Sequence, residues 1–302
     1  IYLPDFILAG YPRCGTTSLY QYLYFHPQIL LSSPKEPRFF IYYELSEEER
    51  TFESEAIKKS AITELDKYSK IFKKGKNKVC GELTVTYMRH YQYFIRNIKK
   101  VYPEDVKPKI LIALRNPIEA SFSFYNYLYL CGRFENPELM AWVSESKNSD
   151  GQKNDNLTFF LDNYDYPKHL KNILEEFDDV YIYLLEDLKS EPERIMSEIF
   201  DFLGVGRIMP DDLGRIYNHS GKAKQKKRTW MMNQKSNKIR NALAKLIPEA
   251  TGRKYLSKIR ERQFVEAKMT EAEKAFLKEN FKDTIEETAK LIGRDLSGWL
   301  NV

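Results

Sequence analysis

"FILAGYPRCGTTSLYQYL", residues 6–23, decides how this chain is read. Its first five residues, Phe6 to Gly10, form an apolar run closed by glycine, as a strand buried on both faces does. From Thr16 onward Leu19, Tyr20, Leu23 and Tyr24 recur at helical spacing. Strand, glycine-bearing turn and helix in that order build a phosphate loop, which usually reads G-x-x-x-x-G-K-[ST]. Gly10, Gly15 and Thr17 stand in the expected places. Thr16 stands where the lysine belongs, and the nearest cation is Arg13, inside the turn.

The physics of such a turn predicts an anion site. The first amides of the helix are unpaired and the helix dipole favours negative charge. Gly15 admits a close approach of the backbone, and Thr16, Thr17 and Ser18 add hydroxyl donors. In ATP and GTP enzymes the loop lysine serves the β- and γ-phosphates together with magnesium. Its absence argues against those nucleotides. The only contenders for a magnesium-binding acid after a strand are Glu186 and Asp187 in "LLEDL", which fit better as braces of a turn. A compact anion handled without a metal is the expected ligand.

Outward from the loop, further strands are predicted at 28–32, 79–83, 109–117 and 180–188. Helical patterns lie at 86–100, 117–130, 157–177 and 191–203. This alternation predicts a parallel sheet with helices on both faces. "TEAEKAFLKENFKDTIEETAKLIG" (270–293) reads as a long amphipathic helix, opened by a Thr270/Glu273 capping box and stopped by Gly293. No repeat or low-complexity linker interrupts the chain. One domain over residues 1–302, with a basic subregion at 207–268, is the expected organisation.

Composition narrows the classes. Of 302 residues, 42% are hydrophobic and 30% charged, an ordinary soluble balance. No apolar run reaches the length of a membrane span. "IYLPDFILAG" lacks a basic n-region and a cleavage site, so it is expected to be a strand rather than a signal peptide. Three cysteines and four histidines without ligand spacing predict neither a disulfide framework nor a metal site. Free cysteines and the missing leader lead to an expected cytoplasmic location. The net charge of +5 is uneven. Residues 215–268 carry 16 Lys and Arg against three Asp and Glu, so the remainder is acidic. Such a segment suits an anionic partner, or else a solvated helical face.

Four motifs, standing along the chain in one family's order, and the chain's end then carry a resemblance. Pro12-Arg13-x-Gly15-Thr16-Thr17 resembles the 5′-phosphosulfate loop, P-[KR]-[ST]-G-T-[TS], of sulfotransferases that use 3′-phosphoadenosine 5′-phosphosulfate (PAPS), with Cys14 in place of the common serine. "LRNPIEASFSFY" (114–125) resembles the family's 3′-phosphate motif, R-[DN]-P-x-[ED]-x-x-x-S. "SPKEPRFF" (33–40) and "GELTVTY" (81–87) are similar to segments of the heparan-sulfate-like and bacterial branch. "LIGRDLSGWL" (291–300) is like the end of the bacterial members. The implied fold is α/β, a three-layer α/β/α arrangement around a central parallel sheet, the P-loop NTPase-like sulfotransferase fold.

The resemblance also implies roles. Arg13, Cys14, Gly15, Thr16, Thr17 and Ser18 would hold the 5′-phosphosulfate. Arg115 would fork onto the 3′-phosphate, as a guanidinium matches a phosphate bidentately, with Ser123 beside it. Asn218, Ser220 and Lys222 would close over the cofactor, although the Arg-Lys-Gly triplet of the cytosolic branch is missing. Glu82 is the expected general base, with Arg13 and Lys35 bracketing the transferring group. PAPS is the expected donor, adenosine 3′,5′-bisphosphate (PAP) the product, and no metal is expected. The acceptor is a small-molecule or carbohydrate hydroxyl, less readily an amine. Segments 40–75 and 125–155, with Tyr42, Tyr43, Tyr127, Tyr129 and Trp142, are candidates for shaping its pocket. No nucleic-acid partner is expected. The competing readings are a P-loop kinase or NTPase, and a non-enzymatic anion or nucleic-acid binder built on 215–268.

Overall fold

The structure, a computed structural model, describes residues 1–45, 60–131, 133, 136–146, 155–214, 222–223, 264–265 and 267–302. Five strands form one sheet: β1 (Phe6–Gly10), β2 (Ile29–Leu31), β3 (Val79–Leu83), β4 (Lys109–Leu114) and β5 (Val180–Leu184), in spatial order β2-β3-β1-β4-β5. Every pairing in it is parallel. β1 lies at the centre, all five of its residues buried, which is why its sequence is apolar without alternation. The chain leaves β1 toward β2 and β3, then crosses back over β1 to β4. The crevice beyond the carboxyl ends of β1 and β4 is therefore the switch point where ligands bind in open α/β sheets.

Helices flank the sheet. α1 (Thr16–Tyr24) follows the loop, α2 (Phe39–Tyr42) and α3 (Leu65–Phe72) lie between β2 and β3, and α4 (Tyr91–Val101) follows β3. After β4 come α5 (Pro117–Leu130), α6 (Leu139–Glu145), α7 (Asp155–Asp162) and α8 (Tyr166–Glu176). After β5 come α9 (Leu185–Ser190) and α10 (Pro192–Leu203). A short antiparallel pair, β6 (Lys222–Ala223) and β7 (Phe264–Val265), precedes α11 (Glu271–Ile292). Contacts run from α2 to α4, α4 to α8, α8 to α11 and α11 to α5, which makes one helical layer. Just past the end of α1, the His26 ring lies 4.9 Å from that of Phe200 in α10. The expected α/β architecture with a central parallel sheet is what the chain adopts.

Several boundaries differ from the sequence expectation; the strand expected over 109–117, for one, ends at Leu114. The helix expected over 157–177 is two helices, broken at Asn163–Asp165, where the Asp165 side chain caps α8 and Pro167 sits in its first turn. The strand expected over 180–188 ends at Leu184 and turns at once into α9. The helix expected over 86–100 begins at Tyr91, after a 3₁₀ turn at Val85–Tyr87. The long terminal helix is as read: Thr270 and Glu273 form the reciprocal capping box, and Gly293 closes it at φ 65°. Among the described residues no helix is long and apolar enough to cross a membrane.

Candidate active site

The loop between β1 and α1 sits at the centre of the crevice. Gly15 is the residue before α1 and adopts φ 80°, ψ 3°, and no side chain caps the helix. The first amides of α1 thus remain available to an anion. A Cβ on Gly15 would meet Leu185 Cδ1 at 2.4 Å, so both the dihedral and the space demand glycine. Arg13 also has a left-handed backbone, at φ 68°.

The structure brings the two sequence-distant phosphate motifs together. Arg13 Nε donates to Ser123 Oγ at 2.8 Å, across 110 residues of sequence. Arg115 Nη1 donates to the Arg13 carbonyl at 3.1 Å, and Nη2 to Glu119 Oε2 at 2.7 Å. Arg115 Nε is buried without a hydrogen-bond partner, a donor awaiting an acceptor. Burial pulls the Arg13 pKa down, Tyr164 opposing and Arg115 adding to the shift, yet a guanidinium stays protonated in proteins. Tyr127 lies under the Arg13 guanidinium, 5.7 Å from it. The turn that carries Arg115 is braced from three sides. Asn116 Oδ1 accepts from the Ile118 amide at 3.0 Å and its Nδ2 donates to the Trp299 carbonyl at 2.8 Å. The Asn116 amide donates to Glu186 Oε1 at 3.0 Å. Asp187 pairs with Arg294.

Lys35 closes the other side of the loop. Its Nζ donates to Thr17 Oγ1 at 2.8 Å and lies 5.7 Å from the Tyr20 ring centre. Burial lowers its pKa, and Glu36 partly offsets that. Thr16 and Ser18 are buried in the first turn of α1. Cys14 belongs to the loop, but its side chain is fully buried and turns inward, 3.7 Å from the Tyr166 hydroxyl. Burial pushes that thiol up to about 12. Any part Cys14 has in anion binding falls to its backbone, whose amide leans on the Tyr11 carbonyl at 3.3 Å.

The expected base is buried. Glu82 has no exposed surface, and it lies on the side of the sheet where Tyr68, Tyr87 and Tyr102 surround it. Burial pushes its pKa up to about 8, while the facing hydroxyls of Tyr87 and Tyr68 pull the other way. Neither hydroxyl reaches hydrogen-bond geometry, and both carboxyl oxygens lack a partner. No cation is among the groups acting on it. Glu82 is sealed behind the β3 end, whereas Arg13 and Lys35 stand at the crevice. Being next to the last residue of β3, it faces inward where its position in the segment suggested emergence.

Sequence reasoning passed over the carboxylate that is at the crevice. Glu36 adopts φ 58° with its amide bonded to the Leu83 carbonyl at 2.9 Å. Its Oε2 takes a 2.5 Å ion pair from Arg38 Nη2, with 22% of its side chain exposed. Its charge acts on Lys35 and on Tyr127, the ring beside Arg13. Two left-handed residues in "KEPR", Glu36 and Arg38, mark a strained turn that no periodicity announces.

Of the remaining expected residues, Asn218 and Ser220 lie outside the described residues. Lys222 is described as backbone in β6, which runs beside α5. Tyr42 and Trp142 are core residues rather than pocket linings, at 1% and 7% exposure. Trp142 packs on Tyr125 and Phe160.

The chain is similar to known proteins in sequence and in fold. The human bifunctional heparan sulfate N-deacetylase/N-sulfotransferase 3 is 24% identical over 99% of this chain. The mouse bifunctional heparan sulfate N-deacetylase/N-sulfotransferase 1 is also 24% identical, over 98%. The chain spans about a third, 31%, of the length of each. A crystal structure of a sulfotransferase from Alicyclobacillus acidocaldarius superposes with a TM-score of 0.70, covering 99% of both chains at 23% identity, which establishes the likeness of fold. The family model described as the sulfotransferase domain matches residues 3–291. With that match across nearly its whole length, the chain belongs to the sulfotransferase family, a family of transferases.

Proposed function

We propose that this chain moves a sulfuryl group from PAPS to a hydroxyl, less readily an amine, of a carbohydrate or other small acceptor, by in-line displacement. The observation that carries the donor assignment is the junction of Arg13, Ser123 and Arg115. It puts two guanidiniums, one with an orphaned Nε, beside the uncapped N-terminus of α1. That donor set fits a ligand with two separate phosphate-type anions: the helix amides, Thr17 and Arg13 for the 5′ end, Arg115 and Ser123 for the 3′-phosphate. When bound, PAPS supplies the sulfur centre and a phosphate leaving group.

The chain's own residues supply position and charge. Arg13 stabilises the leaving oxygen by charge rather than by giving up a proton. Lys35, fixed on Thr17, lies across the loop from it and meets the sulfuryl oxygens. Glu36 is the better candidate for accepting the acceptor's proton, because it is partly exposed and electrostatically in touch with Lys35 and Tyr127. Glu82 lacks such access. Glu36→Gln is expected to keep PAP affinity and lose turnover by about 100-fold or more, the range of a general base. Glu82→Gln is expected to keep turnover within about threefold on the same grounds. The reverse result in steady-state assays would return the base to Glu82. The carbohydrate acceptor rests on the names of the two relatives.

Calorimetric titration tests the donor directly, using PAP, adenosine 5′-monophosphate (AMP) and ATP, each with and without magnesium. Metal-independent binding with PAP well ahead of AMP is expected. A preference for magnesium-ATP would overturn the donor assignment.

A further inference from the structure

Two tyrosines that no motif singles out lie under the anion site. The break between α7 and α8 puts Tyr164 and Tyr166 beneath the loop, both without exposed surface. The Tyr164 hydroxyl is 2.9 Å from the Pro12 carbonyl and 3.1 Å from that of Ala120. One hydroxyl hydrogen is thus shared between the loop and the first turn of α5. The Tyr166 hydroxyl donates to the carbonyl of Arg115 itself at 2.8 Å. Tyr11 packs between them from the loop side, its ring 4.5 Å from Tyr166 and 6.4 Å from Tyr164. Three successive anchor points are clamped in this way: Pro12 by Tyr164, Arg13 by Arg115, and Arg115 by Tyr166. A hydroxyl spent on a main-chain carbonyl, buried among rings, does not itself meet a ligand. It can set where the neighbouring cation stands.

We propose that Tyr164 and Tyr166 are positioning residues of the donor site with divided duties: Tyr166 aims Arg115 at the 3′-phosphate, and Tyr164 holds the loop that receives the 5′ end. The division follows from the carbonyl each hydroxyl grips at the shorter distance: Pro12 in the loop for Tyr164, at 2.9 Å against 3.1 Å to Ala120, and Arg115 for Tyr166, at 2.8 Å. It rests on the PAPS reading given above, because only a ligand with both phosphates feels the two duties separately.

Phenylalanine removes one oxygen at each position and leaves the ring in place, so the two variants lose nearly equal packing. The test is calorimetric affinity for PAP and for AMP, with Tm as the control for folding. Tyr166→Phe is expected to weaken PAP about tenfold and AMP less than about twofold, the size of one lost positioning hydrogen bond. Tyr164→Phe is expected to weaken both ligands alike, leaving their ratio as in the wild type. In an Arg115→Ala background the Tyr166→Phe effect on PAP should vanish, since the pair acts as one unit. A generally loosened protein would instead keep the loss in that background. The proposal is overturned if the wild type prefers PAP over AMP while Tyr166→Phe leaves that ratio unchanged, or if Tyr164→Phe changes it. Should Tyr166→Phe fail to fold, the proposal is still overturned if Tyr164→Phe weakens neither ligand. A wild type that does not prefer PAP to AMP would sink the donor reading instead, a distinguishable failure.

Discussion

Gly15 shows how much one residue can carry. Its φ of 80° puts it where a side chain is strained, and Leu185 fills the space a Cβ would need. Leu185 can yield a little; the backbone cannot. Gly15→Ala is expected to cost about 1–3 kcal/mol of stability, read from urea unfolding, and to weaken PAP as the loop shifts. Stability within about 0.5 kcal/mol of wild type would show that the turn relaxes freely. Arg13, Gly15, Thr17 and Arg115, on which the proposed donor site draws, could be picked out because each belongs to a short motif whose residue types suit an anion. Glu36 was not. Its place depends on two left-handed backbone angles and on Arg38, and neither has a sequence signature. Glu82 misled for the opposite reason, since a glutamate near a strand's end carries no mark of which way it faces.

At the scale of elements, the structure turns on how β4 hands over to α5. Asn116 caps the helix, holds the Trp299 carbonyl, and receives the brace of Glu186 from α9. Asn116→Ala removes the cap and the tie to the chain's end at once. The expected cost is about 1–2 kcal/mol, with PAP affinity falling more than AMP affinity because the turn carries Arg115. Equal losses for both ligands would mean that the turn is held by Pro117 and Glu186 alone. The sheet was legible because its strands are continuous apolar runs separated by helical spacing. The break at Asn163–Asp165 was not, because Leu157 and Phe160 on one side and Leu170 and Ile173 on the other each keep helical spacing locally, although their buried faces lie nearly opposite if one helix is run straight through. What gives the break away is Asp165 followed by Pro167, a start signal inside an apparent helix.

Over the whole molecule, two buried titratable groups shape the pH dependence of stability. Glu82 rises from an ordinary value of 4.5 to about 8 on folding. The unfolded chain therefore gives up that proton first, and stability falls as pH climbs from about 4.5 to about 8, then levels. His169 behaves in the opposite sense, since burial lowers it from 6.5 to about 3. Its contribution is full above about 6.5 and fades as pH falls toward about 3. Between 4.5 and 6.5 the two slopes offset each other; from 6.5 to 8 Glu82 acts alone. Glu82→Gln is expected to flatten the fall between pH 6.5 and 8 and to raise Tm at pH 8, by a gain of at most about 5 kcal/mol. An unchanged slope in denaturant melts across that window would place the titration on another group. None of this was visible in the sequence, where Glu82 reads as a reactive residue and His169 as a lone histidine.

Cys14 offers a clock. Its thiol is sealed against Tyr166 and pushed up to about 12 by burial, while Cys131 stands exposed. An alkylating reagent should take Cys131 at once and reach Cys14 only when the phosphate loop lifts off its tyrosine bed. Labelling read at the Cys14 peptide, apart from that of the buried Cys80, then times the opening of the loop, with no probe attached. A donor that clamps the loop from above should slow that labelling in proportion to the fraction of protein left unoccupied.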